Sequence, residues 1–149
     1  MAEHNLHALD VVRIIRAGVL YFAFVFAAGF ILGMLRVMFV VPVLGTRAAE
    51  LAEIPFMLAI SYFFARTLTR RMSIPSRVSD RALMGASALV LMLAAEFGLV
   101  LWLRGMDLAG YFATRDPVST VGYYIALFAF AAMPLIVRRA KTGFELNAR

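Results

Sequence analysis

Polar positions in this chain fall into clusters, and the stretches between them are apolar for about twenty residues each. The first such run extends from Ala17 to Val41 and is interrupted only by Arg36. The second, Ala48 to Ala65, contains Glu50, Glu53 and Pro55. The third, Ala82 to Leu103, is broken by Glu96, and the fourth, Val118 to Val137, has no formal charge. At 1.5 Å per residue, about twenty helical residues cover the roughly 30 Å hydrocarbon core of a bilayer. The pattern therefore predicts an all-α membrane protein, residues 1–149 forming a single integral domain. Its transmembrane helices are expected at about 14–42, 47–70, 80–104 and 117–139, with short tails. Short connections make the expected arrangement an up-down-up-down antiparallel bundle.

Local signals place the ends of these helices. Asp116-Pro117 supplies an N-cap and a first-turn proline for the fourth helix. Ser79 or Asp80 is positioned to cap the third, just after the turn residues Ser73-Ile74-Pro75-Ser76. The first hairpin is expected to turn at Leu44-Gly45. The first run is too long for the apolar core of a signal peptide and is read as a retained helix. The N-terminal tail is expected to lack regular structure. Trp102, Tyr111 and Phe112 fall at one predicted interface, where amphipathic rings are favoured.

Composition and charge sharpen this picture. Apolar residues make up 63% of the chain, well above the roughly one-half of soluble domains. There is no cysteine, which excludes disulfides, thiolate metal sites and cysteine nucleophiles. The formal charge of +6 is carried beside the apolar runs, not interleaved with aromatic residues, so nucleic acid is not the expected partner. Arg13, Arg16, Arg66, Arg70, Arg71, Arg77, Arg81, Arg138, Arg139, Lys141 and Arg149 lie on one side of the predicted topology, and Arg36, Arg47, Arg104 and Arg115 on the other. That asymmetry of eleven to four puts both termini in the cytoplasm by the positive-inside rule. Arg66, Arg70, Arg71, Arg138 and Arg139 are then placed to meet anionic lipid.

Helices in lipid associate through close packing and polar contacts, so small residues and charges within the spans are informative. Gly29 and Gly33 form a GxxxG pair in the first helix, and Gly122 with Ala126 repeats the spacing in the fourth. Packing within the bundle is preferred over a homodimer or a larger membrane complex as the use of these residues. Arg36 lies seven residues after Gly29, on the same helical face. Arg47, Glu50 and Glu53 share a face at successive i, i+3 steps. Arg36 and Glu53 are equally far from a turn at Leu44-Gly45, which sets them at one level in an antiparallel pair. Glu96, eight residues before Arg104, arrives at a similar depth, and Tyr123 and Tyr124 match it on the fourth helix. This layer lies about 12 Å below the outer helix ends. Each charge there costs ~2.5–3.5 kcal/mol on insertion scales, so pairing is expected, with Arg36 as cation and Glu53 and Glu96 as acceptors. Glu50 is counted with Arg36, Glu53, Glu96, Tyr123 and Tyr124 in this cluster, at its border, where interfacial solvation is expected. The layer is either a structural ion network or a pocket for a proton or cation.

No phosphate-binding glycine loop, HExxH motif, Ser-His-Asp pattern or histidine within a span is visible. Neither an enzyme active site nor a cofactor is expected, and the only histidines, His4 and His7 beside Glu3, are weak as a metal site. Over Gly29-Phe30-Ile31-Leu32-Gly33-Met34-Leu35-Arg36-Val37 and Arg47-Ala48-Ala49-Glu50-Leu51-Ala52-Glu53-Ile54-Pro55, the sequence resembles small bacterial inner-membrane proteins of unassigned function. The resemblance implies a bacterial four-helix inner-membrane protein and supplies no activity. The function expected is that of a non-enzymatic structural or accessory membrane protein, and the alternative is a small transporter or channel using Glu53 and Glu96.

Overall fold

Backbone groups with no access to water must bond within their own segment, so long apolar runs fold as long helices. The computed structural model describes residues 2–104 and 117–145, with side chains described for residues 10–98 and 117–137. The first run forms α1 (Ala2–Leu35), which continues through a five-residue π-helical segment, Arg36–Val40, into the single turn α2 (Val41–Leu44). After Gly45 follow α3 (Thr46–Arg71), α4 (Val78–Arg104) and α5 (Pro117–Glu145). Among the described residues there are no strands. Four helical stretches are long and apolar enough to cross a membrane: Asp10–Leu44, Thr46–Arg71, Val78–Gly98 and Pro117–Val137.

Several ends differ from expectation. The tail before Ala17 is helical from Ala2, because no glycine or proline precedes Gly18 and nothing stops α1 from propagating backward. Ser79 and Asp80 do not cap α4. The helix already starts at Val78, Arg81 N–H bonds the Arg77 carbonyl at 3.3 Å, and Asp80 sits in the first turn, where its charge opposes the helix dipole favourably. The π segment was not expected either. Pro42 has no N–H, and its ring crowds the carbonyl four residues back; the chain relieves this by widening the preceding turn, so that Val41 N–H bonds Arg36 O. The hairpin then breaks at Gly45, whose φ of 76° is open to glycine and strained for other residues.

Contacts between helices define a ring in which α1 touches α3 and α4, and α5 touches the same two. Helices α3 and α4, consecutive in sequence, therefore face each other diagonally. Phe24 stacks on Phe64 at 5.0 Å and Gly29 meets Met57, so α1 and α3 run antiparallel. In α5, Gly122 lies against Leu51 and Ile54 of α3. Two close crossings depend on glycine: a Cβ at Gly85 would sit 2.0 Å from the Ala131 carbonyl oxygen, and one at Gly18 would sit 2.8 Å from that of Met84 and 2.0 Å from Ser87 Oγ. Of the residues expected to pack helices, Gly122 meets α3 side chains at 3.0 and 3.3 Å, and Gly29 meets the Met57 methyl at 3.1 Å. Ala126 is half-buried. Gly33 does not pack a helix within the bundle: a Cβ there would meet nothing within 4 Å.

The diagonal connection explains an unusual loop. Residues 72–77 must pass over one end of the bundle, and they do so with Ile74 turned into the core at 4% exposure. The end of α3 is closed by two bonds, Ser73 N–H to Arg70 O at 3.2 Å and Ile74 N–H to Thr69 O at 3.0 Å. This is a Schellman closure with serine at the left-handed position, φ 50°. Arg81, buried at 7% exposure, donates to the carbonyls of Pro75 (3.0 Å) and Ile74 (2.9 Å). One guanidinium thus satisfies two backbone groups that the crossing removes from water.

Candidate functional site

Two polar sites occupy the bundle at different levels. The first gathers the charges seen within the apolar runs. Arg36 opens the π segment and faces α3, as its seven-residue spacing from Gly29 requires. Its Nη1 lies 3.1 Å from Glu53 Oε2 and 3.7 Å from Glu50 Oε1. The two carboxylates stand one turn apart on α3 and reach the same guanidinium. Glu50 is a member of this cluster at its border. At 3.7 Å its contact with Arg36 is electrostatic and too long for a hydrogen bond.

Glu96 does not join Arg36. It accepts a hydrogen bond from the Tyr123 hydroxyl, linking α4 to α5. The reason lies in its azimuth: Glu96 is eleven residues, about three turns, after Gly85, the position at which α4 presses against α5. Tyr124 packs edge-on against Tyr123 at 5.7 Å and turns outward at 44% exposure. The two units share a level because Gly122, next to Tyr123, abuts Leu51 and Ile54, which neighbour Glu50 and Glu53 in sequence. The layer is therefore two paired units side by side, one ionic on α1 and α3 and one phenol–carboxylate on α4 and α5. One cation serves two carboxylates in the ionic unit, which leaves it with a formal excess of one negative charge.

The second site was not anticipated. Tyr21 is fully buried in α1, and its hydroxyl donates to the Phe130 carbonyl at 2.9 Å. That carbonyl lies four residues before Pro134, which is buried in α5 and has no N–H to return the usual helical bond. The Tyr21 hydroxyl takes the place of the missing donor, and its ring stacks on Phe130 at 4.6 Å. Ser61, 2% exposed, bonds the same hydroxyl from α3. Three helices thus meet at one phenol. A proline four residues after Phe130 is the sequence signal for an orphan carbonyl, but nothing in the sequence tells which helix sends the donor.

The remaining candidates are placed as follows. Arg66, Arg70 and Arg71 are exposed at the end of α3, and Arg13 pairs with Asp10 at 2.7 Å on the exposed side of α1. Pro55 lies within α3, which remains one unbroken helix. The side chains of Glu3, His4, His7, Trp102, Arg104, Arg138, Arg139 and Lys141 lie outside the described residues, as do Tyr111, Phe112, Arg115, Asp116 and Arg149. No protein-family model matches the chain, and neither a curated protein nor a solved structure matches it.

Proposed function

We propose that the chain is a multi-pass bacterial inner-membrane protein with both termini cytoplasmic, and that it acts as a non-enzymatic structural or accessory component. The observation that carries this reading is the Arg36–Glu53 contact of 3.1 Å between two helices that are each apolar and long enough to span a bilayer. A charge at that depth is tolerated when paired, and here the pair joins the two arms of the first hairpin. The Tyr123–Glu96 bond joins the other two helices at the same level. A layer whose members hold one another across helix boundaries locks the bundle together. The excess of arginine at the loop 72–77 end supports the orientation, and Arg66, Arg70 and Arg71, with Arg138 and Arg139, are available to anionic lipid there. Any partner is a membrane component, either a second copy or a larger complex.

The rival reading is a small transporter or channel in which Glu53 and Glu96 carry a proton or cation. Its support is the two-to-one ratio of carboxylates to cation beside Arg36. Reconstitution separates the two. The structural reading predicts that proteoliposomes show no pH-driven flux above empty vesicles, and that Glu53→Gln lowers thermal stability in detergent. Flux that Glu96→Gln abolishes, with stability unchanged in Glu53→Gln, replaces it with the transport reading. The absence of cysteine makes topology directly testable: single cysteines near Ser76 and Gly45 should react with impermeant reagents from opposite sides. Reaction of both from the same side contradicts the proposed spanning hairpin.

A further inference from the structure

The ionic unit differs from a core ion pair in facing outward. The side chains of Arg36, Glu50 and Glu53 remain 26%, 32% and 17% exposed at the perimeter of α1 and α3. Both ion pairs run through Arg36 Nη1, so the Nη2 donors of the fork take no part in them. Glu50 stands beyond hydrogen-bond distance from Arg36 and keeps its acceptor sites for another donor. We propose that this face binds the headgroup of a zwitterionic aminophospholipid, with the phosphate on Arg36 and the primary ammonium on Glu50. The proposal rests on the membrane reading above.

Depth, charge and shape select this occupant. Helix α3 has 26 residues, about 39 Å, so it overreaches a ~30 Å hydrocarbon core by about 4–5 Å at each end when centred. Glu50, four residues after Thr46, falls about 6 Å below the helix end, at the level where headgroups meet acyl chains. A purely anionic headgroup meets two carboxylates there, and a simple cation meets a guanidinium. A headgroup carrying both charges finds a complement for each. Gly33, one turn from Arg36 on the same face, has open space where a side chain would stand. Beside it Phe30, Ile31 and Met34 are 59%, 57% and 51% exposed. These side chains and the open space at Gly33 present an apolar surface for the acyl chains directly below the charged fork.

The discriminating comparison uses phosphatidylethanolamine, phosphatidylcholine and phosphatidylglycerol. The first two share a phosphate and net charge, but only the ethanolamine ammonium has N–H groups to give Glu50; the third has the phosphate without a cation. The full-length protein is measured in mixed micelles of a neutral detergent with each lipid, by thermal unfolding and by native mass spectrometry of retained lipid. Phosphatidylethanolamine should bind about tenfold more tightly than phosphatidylcholine, the worth of one charge-assisted hydrogen bond, and should raise the melting temperature above both other lipids. Glu50→Gln should erase that preference, so that the variant binds phosphatidylethanolamine and phosphatidylcholine equally. If Glu50→Gln lowers stability in every lipid, Glu50→Asp, which keeps the charge and shortens the reach, should narrow the preference instead. Equal binding of ethanolamine and choline lipids, a preference for phosphatidylglycerol, or an ethanolamine preference retained in Glu50→Gln and Glu50→Asp overturns the proposal. Carbonate extraction of cell membranes separates this failure from failure of the membrane reading, because a spanning chain stays in the pellet whatever its lipid preference.

Discussion

Tyr21 shows how one side chain offsets the consequence of another more than a hundred residues away. Pro134 removes a donor from α5, and the Tyr21 hydroxyl supplies it at 2.9 Å. Tyr21→Phe should therefore leave a buried carbonyl unsatisfied and destabilise the protein by about 1–3 kcal/mol in detergent unfolding. Pro134→Ala returns an N–H to the Phe130 carbonyl, so the loss from Tyr21→Phe should be smaller in that background. A loss of equal size in both backgrounds contradicts this account of the phenol. Glycines divide in the same residue-level way. Gly85→Ala drives a methyl into the Ala131 carbonyl and should cost about 1–3 kcal/mol, whereas Gly33→Ala meets open space and should be close to neutral. Equal melting temperatures for the two variants contradict the close α4–α5 crossing.

Elements carry the next level of the account. Loop 72–77 crosses the bundle end because α3 and α4 are diagonal, and its closure places Ser73 at φ 50°. A left-handed residue other than glycine costs about 1 kcal/mol, so Ser73→Gly should raise stability by about that amount. A fall in melting temperature counts against the assigned closure. Arg81→Met should destabilise despite its apolar replacement, because two loop carbonyls lose their donors. Much of this level was legible in the sequence. Four apolar runs gave four long helices, Pro117 starts α5, and Gly45 breaks the first hairpin. Ring order was not legible, since nothing in an apolar run states which neighbour it faces. That ambiguity is why the sequence level of Glu96 suggests Arg36 as its partner, although the eleven-residue step from Gly85 points it to α5 and Tyr123. Pro42 was the missed signal for the π segment, and the continuous helical propensity before Gly18 was the missed signal for the start of α1.

At the scale of the whole molecule, the two polar sites and the loop clamp form a ladder along the bundle. Arg36 with Glu50 and Glu53, beside Glu96 with Tyr123, holds one end; Tyr21 with Ser61 and the Phe130 carbonyl holds the middle; Arg81 with the loop carbonyls holds the other end. Between them the contacts are apolar, among them Val25, Ala65, Met84, Ala88 and Met133. In the bilayer proposed for this chain, hydrocarbon weakens any drive to bury apolar side chains, so polar contacts and close glycine crossings decide which helices stay together. Equal distance from a turn centred on Leu44-Gly45 sets Arg36 against Glu53 in the sequence, and their 3.1 Å separation makes that pair the central claim. A double-mutant cycle on thermal unfolding in detergent tests it most directly. Arg36→Leu and Glu53→Gln should each destabilise the protein, and the double variant should lose less than the sum of the two, because neither leaves a charge behind for the other. Strictly additive losses, or wild-type stability in both single variants, contradict an ion pair that holds the bundle.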